Sequence, residues 1–280
     1  MGNIAALFNR SILGLVVCLT SQLAFGQEFR ILVSNDDGID SPQLAALASA
    51  LGELSGVEVV ISAPAENQSG TSHASTGGEI EVQQVFRDGQ LFGYAVQGLP
   101  ADAVRWGVKV LGNEKPFDLV VSGINQGANV GNVAHLSGTV GSAMEGRYHG
   151  IPALAVSQHT TGVDTEASAR FAANLVQRLR EQGFPRDVVI SVNIPGGEIQ
   201  GVAVRQMGDS YLRYEGYEQT SGDDSRGTYA RVRTIQQAAD PRSDTWAWER
   251  GYITITPLRF DWTDYEYLSD LQSWDWDPGQ

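Results

Sequence analysis

Residues 29–38 read Phe-Arg-Ile-Leu-Val-Ser-Asn-Asp-Asp-Gly, and they constrain the chain more than any other stretch. Ile31, Leu32 and Val33 make the short apolar, β-branched run that fills a central parallel strand. The run ends at Ser34 and Asn35 and delivers two adjacent carboxylates, Asp36 and Asp37, with Gly38 behind them. In an open α/β sheet, ligands sit outside the carboxyl ends of the strands. Two acids at such an end repel, and each has a raised pKa unless a cation neutralises them. Successive side chains on a strand point to opposite faces, so both acids serve one ion only where the chain turns sharply, which Gly38 permits. That pattern points to a hard-metal site of oxygen ligands. The competing reading is a plain Asn-Asp-Asp-Gly turn, since all three residue types favour turns.

Residues 1–26 have the grammar of a secretory signal peptide: Arg10, then the apolar run 12–19, then a small-residue segment ending in Ala24-Phe25-Gly26. The run is too short for a membrane span, and the bulky Val17 before Cys18 disfavours a lipoprotein. An uncleaved anchor is the alternative. Cleavage before Gln27 would leave 254 of the 280 residues, enough for one large α/β domain, in a periplasmic or secreted setting with no membrane attachment. The single cysteine lies in the leader, so the mature chain has neither a disulfide nor a thiolate metal site. A net charge of −14 argues against a nucleic-acid polymer as partner.

Down the chain, strands and helices alternate. Residues 42–54 form a helix behind an N-cap at Ser41, 57–62 a strand, and 63–73 a long polar loop on the same edge as the acids. A hairpin turns at Asp88-Gly89 between 79–86 and 91–97, and a helix covers 100–111. The core strand 117–122 runs into Gly123-Ile124-Asn125-Gln126-Gly127-Ala128-Asn129-Val130-Gly131, read as a loop because three glycines and two asparagines are costly in a helix. Ser137-Gly138-Thr139 opens a helix to about His149, where hydroxyls and free N–H groups suit phosphate, although an ordinary Ser137 cap is the simpler reading. Strands at 153–157, 188–194, 201–206 and 252–256 and a helix at 166–181 follow. Residues 207–244 loosen into a protruding arm around a strand at 229–235, and the acidic, Trp-rich tail 261–280 fits no element. The fold class is therefore α/β: a mostly parallel sheet flanked by helices, with a protruding C-terminal hairpin or arm.

Three strand-end loops thus bring Asp36, Asp37, Ser69 and Asn125 to one edge. At this point the chain resembles the SurE family of survival-protein nucleotidases. The matching motifs are Ser-Asn-Asp-Asp-Gly at 34–38, Asn-Gln-Ser-Gly at 67–70, Gly-Leu-Pro-Ala-Asp at 98–102, Ser-Gly-Ile-Asn-Gln-Gly-Ala-Asn-Val-Gly at 122–131, Ser-Gly-Thr-Val-Gly-Ser-Ala-Met-Glu-Gly at 137–146 and Gly-Tyr-Ile-Thr-Ile-Thr-Pro-Leu at 251–258, in family order. The resemblance implies a Rossmann-like fold and metal-dependent hydrolysis of nucleoside 5′- and 3′-monophosphates. It also implies one Mg²⁺- or Mn²⁺-type ion and a homodimer or homotetramer built by exchange of carboxyl-terminal segments. By the same resemblance, Asp36, Asp37, Ser69 and Asn125 hold the metal, and Asn129, Ser137, Gly138 and Thr139 bind phosphate. The leader and the tail depart from the family pattern, and the segment 208–244 carries no signature of substrate preference.

A divalent ion on those ligands would polarise a phosphoryl oxygen and activate a water, while the helix start at 137–139 receives the developing charge. Catalytic roles therefore fall to Asp36 and Asp37. An aspartyl-phosphate on Asp36 is disfavoured, because phosphatases that form one separate their two acids by one residue. His73, His135 and His149 are candidate general acids against a structural alternative, with His159 behind them. Trp246 and Trp248 could stack on a base or simply pack, and Arg105 and Arg147 could approach phosphate. A second class, an exported metal- or nucleotide-binding protein without catalysis, is disfavoured because a binding protein has no need of a hard metal beside a phosphate cradle.

Overall fold

The computed structural model describes residues 28–223 and 225–276; the leader expected at 1–26 lies outside the described residues. The chain runs β1 (Phe29–Ser34), α1 (Pro42–Gly52), β2 (Val57–Pro64), β3 (Val82–Arg87), β4 (Gln90–Val96), α2 (Pro100–Trp106), β5 (Leu119–Gln126) and α3 (Gly138–Tyr148). It continues through β6 (Ala153–Gln158), α4 (Thr165–Gln182), β7 (Val188–Ile194), β8 (Gly201–Val204), β9 (Leu212–Gly222), β10 (Gly227–Ile235), α5 (Asp244–Trp248), β11 (Tyr252–Arg259) and α6 (Tyr265–Gln272).

Among the described residues, nine strands form one sheet in the order β3-β4-β2-β1-β5-β6-β7-β11-β8, and β9 and β10 form a separate antiparallel ribbon. β4, β2, β1, β5, β6 and β7 are parallel, and β3 and β11 pair antiparallel to their neighbours β4 and β7. From β1 the chain first builds outward on one side to β2 and β4. It then returns to lay β5 on the other side of β1. That reversal makes a crevice outside the carboxyl ends of β1 and β5, the address at which such sheets bind ligands.

Alternation along β1 explains the double layering. Ile31 and Val33 pack with Leu44, Leu47 and Leu51 of α1 and Ala169, Ala172 and Val176 of α4. Leu32 faces the opposite way, with Val104 of α2 and Val140, Ala143 and Met144 of α3. Burying both faces removes apolar surface at about 25 cal/mol per Å², which is why a strand of three aliphatics can sit at the centre of the sheet.

Three expectations need correcting. The segment read as a loop from Gly123 begins as strand: β5 continues through Asn125 and Gln126, which pair with Ser157 and Gln158 of β6 across a bulge. The helix expected over 100–111 is α-helical only to Trp106 and ends in a π-helical turn, Gly107–Leu111. The tail is not without structure, since Asp264 caps α6 by accepting from the Glu266 and Tyr267 N–H groups. The arm is present as the ribbon β9–β10, paired from Leu212–Ile235 out to Gly222–Gly227. No helix among the described residues is long and apolar enough to cross a membrane.

Candidate active site

The turn after β1 is braced by its own asparagine. The Asn35 side chain donates to Gly38 O at 2.9 Å and accepts from Gly38 N at 3.2 Å. Gly38 has φ +100°, and a Cβ there would lie 3.1 Å from the Glu66 carbonyl carbon, so only glycine lets the 63–73 loop close over the turn. That loop docks through Gln68 N donating to Asp36 O at 2.7 Å. Asn67 Nδ2 adds a bond to Asp37 Oδ1 at 3.1 Å.

Asp36 is buried, and its Oδ1 accepts from Thr139 Oγ1 at 2.5 Å. Burial pushes its carboxyl up to about 6; the Thr139 hydrogen bond opposes the shift and the charge of Asp37 adds to it. Asp37 is half-buried and is also raised by burial, against bonds from Gln126 N–H and Asn67. Two neighbouring carboxyls that the fold makes reluctant to ionise form a site whose energy falls when a cation arrives.

The other proposed ligands come from neighbouring strand ends. Asn125, at the end of β5, donates its Nδ2 to Gly127 O at 2.7 Å, which leaves Oδ1 as the free acceptor. Ser69 sits on the exposed loop after β2, its N–H bonded to Asn67 Oδ1 at 3.1 Å. Asp36, Ser69, Asn125, Asn129 and Ser137 all line one cleft of about 420 Å³. Among the described residues, no group of three or more His, Cys, Asp or Glu side chains is placed to hold a metal ion. The donors gathered here are carboxylate, hydroxyl and amide oxygens, the set that hard divalent cations prefer.

The phosphate side differs in detail from expectation. Ser137 caps α3, its Oγ accepting from Val140 N at 3.1 Å, and its own hydroxyl proton remains free to donate. Gly138 lets the helix start press against Asp36; a Cβ would lie 2.8 Å from the Asp36 Cβ. Thr139 is fully buried and does not line the cleft, because its hydroxyl is committed to Asp36. Asn129 spends one amide proton on Ser157 Oγ at 2.8 Å and keeps the other.

No histidine lines this cleft among the described residues. His73 and His149 instead bond to Glu145 at 2.7 and 3.0 Å, His135 meets Trp262 edge-on, and His159 Nδ1 pairs with Thr161 O. Arg105 Nε joins the same Glu145 at 2.8 Å, and Arg147 pairs with Asp187. Glu145 is fully buried. Burial would raise its carboxyl, but the His73 and Arg105 hydrogen bonds and charges outweigh it and hold it down at about 2. This hub fixes the 71–76 loop to α2 and α3, as Asp102 does through Thr76 N and Oγ1. Sequence reading missed it because the bonds span 72 and 40 residues. It also missed the far wall of the cleft, made by Ser210, Leu212, Tyr214 and Arg233 of the arm. The arm's root is held by Asp244, which accepts from Gly131 N and Gly208 N, and by Trp248 packed between Tyr211 and His159. Trp248 is therefore packed in the core, and neither Trp246 nor Trp248 lines the cleft. A larger, more apolar cavity of about 640 Å³ lies beyond Ser137, between α3 and residues 257–266. It holds neither Asp36 nor Asp37, whereas Asp36 lines the smaller cleft.

Fold and site together define an α/β protein with an oxygen-rich cleft at the topological switch point, lined by Asp36 with Asp37 beside it in the same turn. The chain belongs to the SurE family: the profile described as "Survival protein SurE" matches residues 31–214. The 5′-nucleotidase SurE of Thermoanaerobacter pseudethanolicus is 36% identical over 251 residues, covering 88% of this chain and 98% of its own. That of Chlorobium limicola is 37% identical over 252 residues, covering 87% and 95%. The crystal structure of the SurE protein from Aquifex aeolicus superposes with a TM-score of 0.75 at 34% identity, over 87% of this chain and 98% of that one.

Proposed function

We propose that this chain is a divalent-metal-dependent phosphomonoesterase that hydrolyses nucleoside 5′-monophosphates, and 3′-monophosphates beside them, to nucleoside and phosphate. The observation that carries the reading is the meeting of Asp36, Ser69, Asn125 and Ser137 in one cleft outside β1 and β5. Curated relatives named 5′-nucleotidase, matched over nearly their whole length, support it.

Asp36, Asp37, Ser69 Oγ and Asn125 Oδ1 would hold Mg²⁺ or Mn²⁺, which when bound polarises phosphoryl oxygen and makes water nucleophilic near neutral pH. Thr139 fixes the Asp36 carboxylate through its hydroxyl, as outer partners of metal ligands do. Ser137 Oγ–H, the backbone at Gly138 and the spare Asn129 N–H receive the negative charge that grows on the phosphate oxygens. Among the described residues no imidazole lines the cleft, so the reading assigns the departing nucleoside oxygen a proton from solvent.

Two further parts of the proposal rest on the sequence alone. The pattern at residues 10–26 supports export to the periplasm or beyond with a mature start near Gln27, which amino-terminal sequencing of the native protein would test. Family resemblance supports a homodimer or homotetramer, which light scattering would measure. The activity itself is tested by incubating the protein with AMP and Mn²⁺, with and without EDTA. Phosphate release abolished by EDTA is expected. Tight nucleotide binding with no phosphate release would instead favour a non-catalytic binding protein.

A further inference from the structure

The chemistry above uses only one wall of the cleft. The opposite wall comes from the arm, and its composition is unlike that of a hairpin built only to be stable. β9 and β10 pair so that Tyr214 stands directly opposite Arg233, and both line the cleft that contains Asp36 and Asn125. Among the described residues on the cleft wall, Tyr214 is the one aromatic ring and Arg233 the one cation.

Their neighbours in sequence do something else. Arg213 approaches Glu215 at 3.6 Å, and Thr234, opposite Arg213, donates to Glu215 Oε1 at 2.8 Å. The alternation of side chains across a strand puts that polar group on the ribbon's other face. Arg233 makes no ion pair and Tyr214 no hydrogen bond among the described residues, and Tyr214 is 48% exposed. Neither side chain is occupied in holding the ribbon together. In a chain of net charge −14, an unpaired guanidinium facing a carboxylate site is placed where an entering dianion would meet it.

We propose that Tyr214 and Arg233 are the substrate-recognition pair of the site: the Tyr214 ring stacks on the nucleobase, and the Arg233 guanidinium pairs with the substrate phosphate. This rests on the nucleotidase reading and names the part of the nucleotide that each arm residue recognises. Every base presents a π-face, so stacking selects for the presence of a base without choosing strongly among bases. A planar guanidinium matches phosphate geometry better than an ammonium does.

The test compares AMP with ribose 5-phosphate, which carries the same phosphate and sugar but no base. Both kcat/KM and binding affinity are measured with Mn²⁺ present. Tyr214→Ala should lower kcat/KM for AMP about tenfold or more, chiefly through KM, and leave ribose 5-phosphate within about twofold. Tyr214→Phe keeps the ring and should restore AMP. Arg233→Ala should weaken both substrates by the same factor, on the order of tenfold or more, with only partial recovery in Arg233→Lys. Equal losses on both substrates in Tyr214→Ala, or no loss on AMP, would overturn the stacking role. An unchanged Arg233→Ala would overturn the phosphate role. Tyr214-dependent binding of AMP without phosphate release would refute the hydrolytic reading and keep the arm's assignment. A wild-type protein that neither binds nor hydrolyses AMP overturns both.

Discussion

The two walls of the cleft are built by opposite means. On the sheet side, Asp36 and Asn125 are almost out of solvent, each is tied by a side-chain hydrogen bond, and the backbone beneath them is locked between parallel neighbours. On the arm side, Tyr214 and Arg233 stand exposed on a ribbon that has two strands among the described residues. Isolated ribbons are marginal, and loosely held segments open at low free-energy cost. A metal needs donors fixed to within a fraction of an ångström, whereas a base needs only a surface to lie on and a dianion can be met by a mobile guanidinium. On the proposed roles, the core wall carries the metal chemistry, and the arm wall meets the base and one side of the phosphate.

The largest effects belong on the core wall. Asp37→Asn should reduce metal-dependent hydrolysis on the order of 10³-fold with an unchanged circular-dichroism spectrum; undiminished turnover at saturating Mn²⁺ would remove the acid pair from the mechanism. Asp36→Asn should likewise abolish turnover, yet stabilise the metal-free protein. The folded pKa of Asp36, near 6, lies above its ordinary 3.8. Ionising it in the metal-free fold therefore costs stability as pH rises from about 4 through 6, and stability is retained below that window. Removing the charge should return about 2–3 kcal/mol above pH 7, read as a higher Tm in EDTA for the variant than for wild type. A lower Tm would show that Asp36 is not held against its own ionisation.

Next in size is Thr139→Val. A phosphate-binding hydroxyl would leave Mn²⁺ affinity untouched when removed. A hydroxyl that fixes Asp36, as the 2.5 Å bond indicates, should weaken Mn²⁺ binding and kcat/KM together by about 10–100-fold. Calorimetric titration without substrate separates the two.

Glu145→Gln acts on the frame behind the core wall. The folded pKa of Glu145, about 2, lies below its ordinary 4.5, so its contribution is complete above 4.5 and is lost as pH falls towards 2. The variant should lose about 1–3 kcal/mol at pH 7 and show a shallower decline in Tm between pH 4.5 and 2 than wild type. The smallest effect belongs to the outer arm. Replacing residues 219–229 with Asn-Gly, between the paired Glu218 and Ala230, should shift Tm by no more than about 2 °C and AMP turnover by less than about threefold. A large loss of turnover would move the substrate wall further out along the ribbon.

The same contrast explains what the sequence disclosed. β1 and the acids after it are legible because an apolar run ending in carboxylates has few other uses, and α3 because Ser137 opens it as a cap. The sequence alone makes β5 too short, since glycine and asparagine discourage a strand locally, while pairing with Ser157 and Gln158 imposes one from outside. The family resemblance puts Thr139 among phosphate ligands, and nothing in sequence shows that Asp36, 103 residues earlier, takes its hydroxyl. Only β10 of the arm was visible; β9, almost wholly exposed and rich in glycine and charge, carries no burial pattern to read.

The most direct test of the division between the walls is Mn²⁺ binding followed by titration in wild type, Asp37→Asn and Tyr214→Ala, with phosphate release from AMP measured on the same samples. One ion per chain is expected in wild type and in Tyr214→Ala, with binding lost in Asp37→Asn and turnover lost with it. Unaltered Mn²⁺ binding in Asp37→Asn, or phosphate release that survives EDTA in the wild type, would contradict a metal centre on the sheet side of the cleft.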